Sequence, residues 1–466
     1  MSRFKPLEER PPSSARFRFT PGDIRPAVAM AAPSPAAPLP QLALPASSNV
    51  IQSNLVHTLG FVTFVTYLIS GQLNDWTIRL IGNKAYVSGI TLLLLPVILI
   101  ASGSAFRAFQ HRIGIFWVAF LAWMLLSTPF SLWRGGSVQM LLDYVPRSYL
   151  MFFYIVAFAA SASRLRKLWH VNILLAWILL VTCWKFGSAG GVDDRFRIPS
   201  SMFYVNSNEL ALGLVIAITQ FMFLLYSRNM LSRVMGLAGI SGSLFYMLKT
   251  GSRGCTLALI ALVVVNFLVS RQKVTMAILA IPIVLVMILI MPASSRHRLS
   301  LMGLGDDTQA QTDVDGSAIG SRQERQHLVM RSLYHTFHNP LLGVGPNQFA
   351  VAENGDKAKL GLWSEWLGTH NSYTQVSSEC GIPGFIFYTG VLVMCLRLTY
   401  RMFKAARDKP ELRDVMALSW CLFCGLVVYA VGTMFFHMAY TGGLPLLSGM
   451  TLALWLATKY QLRQTA

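Results

Sequence analysis

The chain has 466 residues, of which 54% are hydrophobic and 13% charged, and its formal net charge is +19. A soluble chain carries about 25% charge, and here the charges gather in short clusters between long apolar stretches, which excludes an ordinary soluble domain. The same spacing of Lys and Arg marks membrane topology and argues against a nucleic-acid-binding face.

Residues 1–50 are rich in Pro, Ala and Ser and carry Arg3, Lys5, Arg10, Arg16, Arg18 and Arg25. No uninterrupted apolar run follows the early basic residues, so this reads as a disordered basic cytosolic tail and not a cleaved signal peptide. Beyond it, apolar windows predict membrane spans at 54–71, 85–102, 113–130, 148–163, 168–186, 209–227, 231–248, 255–270 and 274–292. A hydrophilic connector follows at 293–381, and three more spans are predicted at 382–399, 415–436 and 441–458. The expected fold class is an all-α polytopic membrane protein of about twelve transmembrane helices with one large helical periplasmic loop. Its parts are the tail 1–50, helices one to nine in 51–292, the loop 293–381, and the last three helices with a cytosolic C-terminus in 382–466.

Orientation follows from the connectors. With the tail inside, cytoplasmic connectors hold Arg107 and Arg112; Arg164, Arg166 and Lys167; Arg228 and Arg233; Arg271 and Lys273; and the run from Arg397 to Arg413. The opposite connectors hold fewer: Arg79, Lys84, Arg134, Arg147, Arg195, Arg197, Lys249 and Arg253. Both termini are therefore expected in the cytoplasm, although strict alternation of the spans as drawn is expected to need at least one boundary moved. A loop as long as 293–381 between spans is uncommon unless it carries function. The halves of the chain show no repeat of the kind an inverted-repeat transporter carries.

Six cysteines, Cys183, Cys255, Cys380, Cys395, Cys421 and Cys424, lie in or beside the apolar runs. The Cys421–Cys424 pair has no His or second pair nearby, so small apolar packing is the expected role.

Within the long connector, residues 302–320 are rich in Gly, Asp, Gln and Thr. An amphipathic helix is predicted from Ser321 to about Phe337, bearing Arg322, Arg331 and His335 and stopped by Asn339-Pro340. A tight Gly/Pro turn follows at 341–349, then Gly368-Thr369-His370-Asn371-Ser372-Tyr373, then a helical stretch through Glu379, Gly381 and Gly384.

These pieces resemble the O-antigen ligase/polymerase family of bacterial envelope glycosyltransferases. His370-Asn371, nine residues, and Gly381-Ile382-Pro383-Gly384 match its H-[NSQ]-x9-G-x-x-G motif. Arg322, with Asn339-Pro340, Gly343-Val344-Gly345 and Phe349, matches its R…(N)P-x-x-G-x-G-x-x-x-F pattern. Asn206-Ser207-Asn208-Glu209-Leu210-Ala211 is similar to its N-P-N-x-L-A entry to a span, with Ser207 in place of Pro, and Thr250-Gly251-Ser252-Arg253-Gly254 to its S-R-G element. Together they cover about 195–390.

The resemblance implies a GT-C-like enzyme in the bacterial inner membrane with a periplasmic site for glycans on undecaprenyl diphosphate. The expected acceptor is a lipid A–core hydroxyl, or the growing glycan if the chain is a polymerase. The residue chemistry agrees: a base must activate the acceptor hydroxyl and cations must stabilise the departing diphosphate. His370 suits the first role, having an unperturbed pKa of about 6.5. Arg322, Arg253 and Arg197 suit the second, because guanidinium stays charged and binds phosphate through two N–H groups. They would replace a metal, so no metal and no cofactor is expected. Asn206, Asn208, Asn371 and Glu379 are candidate substrate contacts, and His335 and His338 secondary ones. Plainer roles stay open: membrane-interface anchoring for Arg197 and Arg253, a solvated helix face for Arg322, helix capping for Asn206 and Asn208, and a helix-start charge for Glu379. The glycines at 381 and 384 are expected to allow close packing. A transporter or flippase would place ionisable residues mid-span, and few fall there.

Overall fold

The computed structural model describes residues 55–82, 86–189, 195–199, 201, 204, 206–270, 273, 313–361 and 366–464. The expected tail 1–50, the span at 274–292 and the connector start at 293–312 lie outside them. The described residues form fourteen α-helices: α1 (Leu55–Ile81), α2 (Val87–Ser102), α3 (Arg112–Ser127), α4 (Arg134–Tyr144), α5 (Leu150–Phe158), α6 (Ala162–Phe186), α7 (Ser207–Leu225), α8 (Met230–Lys249), α9 (Arg253–Val269), α10 (Asp313–His338), α11 (Phe349–Lys359), α12 (Ser372–Ala406), α13 (Arg413–Gly432) and α14 (Gly443–Gln464). One two-residue ribbon pairs β1 (Ser188–Ala189) with β2 (Phe196–Arg197), antiparallel. This is an all-α membrane protein.

Eight described helical segments are long and apolar enough to cross a membrane, or nine if the pair Val87–Ser102 and Ser104–Gln110, bent by 75°, is one span. The shorter α9 is also apolar. The described residues therefore carry fewer clear spans than the twelve expected for the whole chain. Several boundaries differ from the sequence reading, most of all where α4 and α5 form one span over Arg134–Phe158 through a π-turn at Val145–Tyr149, not a span beginning at 148. Asp143 and Arg147 dilute its apolar signal, yet they pair one turn apart at 3.3 Å, which keeps the helix going. The span at 382–399 likewise widens to 372–406.

The helices run up and down through a shared core of aromatic and branched side chains. Arg166 bonds Asp414 at 2.5 Å, Arg413 donates to the Tyr226 carbonyl, Arg407 to that of Val269, and Lys459 to Gln110. These bonds gather one set of helix ends. At the other end Leu132 donates to the Val344 carbonyl, Arg195 to that of Thr250, and Ser372 to that of Thr433. The alternation of the described helices puts the 107–112, 164–167, 228–233 and 401–413 clusters at one set of ends, while Arg147, expected in a connector on the other side, lies within the span Arg134–Phe158. All six cysteines are free and buried.

Candidate functional site

The site is organised by a break in α12. Gly381 takes φ 69° and ψ −175°, a conformation essentially confined to glycine, with Pro383 two residues on. A broken helix strands backbone groups that need partners. The carbonyls of Ser378 and Glu379 accept from Val344 and Gly345 at 2.9 and 3.0 Å. That of Cys380 accepts from the Trp123 indole at 2.9 Å, and the Ile382 amide donates to Pro340 at 2.7 Å. The Gly343-x-Gly345 turn is thus the hydrogen-bonding partner of the Gly381 break. Glu379, 3% exposed, completes the clasp, its carboxylate accepting from the Asn347 and Phe349 amides at 2.9 and 3.3 Å. Added Cβ atoms at Gly343 or Gly381 would strike the facing backbone, which explains glycine at both.

His370 stands just ahead of this helix. Asn371 caps it, its side-chain oxygen accepting from the Tyr373 and Thr374 amides at 2.9 and 3.1 Å. That leaves His370 at φ 50°, uncommon for a residue with a Cβ. The segment 433–442 is stitched to the same helix start. The Ser372 amide donates to the Thr433 carbonyl at 2.9 Å and its hydroxyl to the Phe436 carbonyl at 2.6 Å, while Met438 donates back to that hydroxyl. This sets His437 edge-to-face against His370, ring centroids 5.1 Å apart, with the His437 ring packed on Gly368. Burial, helped by His437 and by Arg325 of α10, pushes the His370 imidazole down to about 4. His370 is therefore neutral at pH 7, with a lone pair to accept a proton. Surrounding protein also lowers His437, although its side chain stays exposed.

A second node joins the 195–208 segment to the start of α9. Arg195 donates to the Thr250 carbonyl at 2.9 Å and to the Asn208 side chain at 2.5 Å. Asn206 caps α7 by accepting from the Asn208 and Glu209 amides. Arg253 opens α9, and the next residue, Gly254, packs on Phe435, two residues before His437. The arginine node and the histidine pair thus share the segment 433–442.

Residues 237–389 match the family model described as O-antigen ligase. Over that stretch the chain is similar to the O-antigen ligase family. The match runs from α8 through the Arg253 turn, α10 and His370 to past the Gly381 break. A search of curated proteins returns no match.

In this O-antigen ligase region the structure gathers His370, Asn371 and Glu379 on one helix start, though Glu379 points its carboxylate at the glycine turn. Arg322 lies on α10, its side chain outside the described residues. Arg325, one turn further on, is the described α10 arginine whose charge reaches His370; the helical period from Arg322 was the available signal. Arg197 is exposed on β2, while Arg195, two residues earlier and outside the ribbon, turns inward to Asn208. His437 lies 67 residues beyond His370, and no local pattern pointed to it. His335 belongs to a separate network: Arg331 bonds Glu353 and Asp356 at 2.6 Å each, tying α10 to α11, with His335 3.9 and 3.8 Å from those carboxylates. The His338 Nδ1 donates to the Tyr334 carbonyl of its own helix at 2.9 Å.

Proposed function

We propose that this protein transfers a glycan from undecaprenyl diphosphate to a lipid A–core hydroxyl, with its reaction site at the periplasmic face of a bacterial inner membrane. The clustering of basic residues at the opposite helix ends supports that orientation. The observation that carries the reading is His370, an imidazole that burial keeps neutral and that packs against His437, inside the O-antigen ligase match.

His370 takes the proton from the acceptor hydroxyl. The hydroxyl oxygen attacks the anomeric carbon, and the sugar–phosphate bond breaks with inversion. Arg322 and Arg325 on α10, with Arg253 and the exposed Arg197, hold the diphosphate as charge builds on it, and need no metal to do so. A base held down to about 4 is weak. A bound diphosphate offsets the Arg325 charge and raises the imidazole, so basicity arrives with the donor. Asn206, Asn371 and Glu379 serve by holding their segments in place, and Asn208 by orienting Arg195.

Extension of the glycan itself, as in a polymerase of the same family, uses the same site chemistry with a different acceptor. A deletion strain complemented with His370→Ala tests the reading. Loss of polymer-capped lipopolysaccharide with undecaprenyl-linked polymer accumulating supports the ligase, caps of a single repeat indicate the polymerase, and unchanged capping overturns both.

A further inference from the structure

His437 lies outside the matched residues 237–389, yet the fold spends several bonds on bringing it to His370. Ser372 exchanges three hydrogen bonds with Thr433, Phe436 and Met438. Gln375 accepts from the Ala439 amide at 3.3 Å. Gly368 and Gly254 leave room for the His437 and Phe435 side chains.

The pair also poses a problem that general base catalysis alone does not solve. Each turnover leaves a proton on His370, and the charges that reach His370 among the described residues are His437 and Arg325, with no carboxylate to take the proton. His370 is half-buried, whereas His437 is exposed. At a centroid separation of 5.1 Å, a ring rotation or one bridging water suffices to connect the nitrogens.

We propose that His437 is the second proton-handling residue of this site, receiving from His370 the proton of the acceptor hydroxyl and releasing it to water. The inference rests on the reading of His370 as base. In the full step the acceptor O–H bond breaks, and its oxygen forms the glycosidic bond. The diphosphate leaves with the electron pair of the sugar–phosphate bond. The proton passes from hydroxyl to His370 to His437 to solvent. Among the described residues the charge that acts on His370 from another helix is Arg325 of α10, which disfavours a lasting protonated state and drives the proton outward.

The test uses the purified full-length protein with undecaprenyl-diphosphate glycan and lipid A–core, reading turnover against pH with and without added imidazole. His437→Ala and His437→Gln are expected to slow turnover about ten- to a hundredfold, less than His370→Ala, within the range of proton-transfer catalysis. Donor KM should change less than twofold, and free imidazole should restore much of the His437→Ala rate, because the side chain it replaces is exposed. Glutamine keeps size and hydrogen bonding but carries no proton, so it should be as slow as alanine. Wild-type turnover and pH profile in His437→Gln, or slow variants that imidazole leaves slow, overturn the proposal. If His370→Ala itself retains full transfer, the reading of the base fails instead.

Discussion

Replacing Gly381 by alanine should unlock the site without touching a reacting group. An L-residue at φ 69° and ψ −175° costs about 1–3 kcal/mol in backbone strain. The new Cβ would also meet the Leu341 carbonyl and lie 2.7 Å from the Pro340 oxygen, so the facing turn must move. That turn holds Ile382, Ser378 and Glu379 through three backbone bonds, each worth about 0.5–1.5 kcal/mol net. Losing two or three of them brings the total to about 2–7 kcal/mol. Gly355 is the control: it sits in α11, with nothing within 4 Å of an added Cβ, so Gly355→Ala should stabilise by about 0.5–1 kcal/mol. The assay is thermal unfolding of purified protein in detergent, with limited proteolysis across 340–348. Gly381→Ala should lower the midpoint by about 5 °C or more and expose the turn to protease. An unchanged midpoint and digestion pattern would refute the interlock between the two glycine elements.

The pH dependence has a worked sign. His370 is active when neutral, so kcat/KM, which reports the free enzyme, should hold from pH 7 downward and fall only near the lowered value of about 4. The acid limb of kcat should sit at higher pH, because bound diphosphate raises the imidazole; coincident limbs would speak against the diphosphate lying beside it. Arg331→Ala should cost about 2–4 kcal/mol in the α10–α11 contact, since it leaves the 5%-exposed Glu353 carboxylate without its main partner; a melt within a degree of wild type would contradict this. In the intact protein that contact should weaken on acidification. Burial and Arg331 hold His335 below 6.5, so stability is lost as pH falls through that range. Burial pushes Glu353 up but Arg331 outweighs it, so its contribution goes below about 4.5. Hydrogen exchange in α11 that is flat between pH 7 and 4 would count against it. A cysteine at Gly355 should react with an impermeant thiol reagent in spheroplasts and one at Lys404 should not, against a low background from the buried native thiols; equal labelling would remove the proposed orientation.

Much of the bundle was legible because apolar runs of span length have few other uses. The cap at Asn206 was legible for a similar reason, since a side-chain oxygen ahead of an apolar run satisfies stranded amides; the cap at Asn371 was hidden inside a motif read for chemistry. The Asp143–Arg147 pair hid half of one span, because hydropathy counts charges and is blind to their pairing. Gly381 was expected to pack closely, but its role as a helix break mated to Gly343-x-Gly345 depends on hydrogen bonds between segments 35 residues apart. Arg195 and Arg197 differ by two residues in a connector whose short ribbon has no period to read. His437 is placed entirely by tertiary bonds to Ser372 and Gln375, which local pattern does not encode.

The central claim is that His370 does chemistry on the acceptor while the arginines grip the donor. Donor binding measured beside transfer on wild type, His370→Ala, Arg322→Ala and Arg322→Lys tests it most directly. His370→Ala should bind the undecaprenyl-diphosphate glycan within about threefold of wild type while transfer falls about 10²–10⁴-fold. Arg322→Ala should weaken both, and Arg322→Lys should recover part, keeping the charge but not the two-pronged guanidinium. Abolished donor binding in His370→Ala, or an Arg322→Ala protein unchanged in both measurements, would contradict this division of roles.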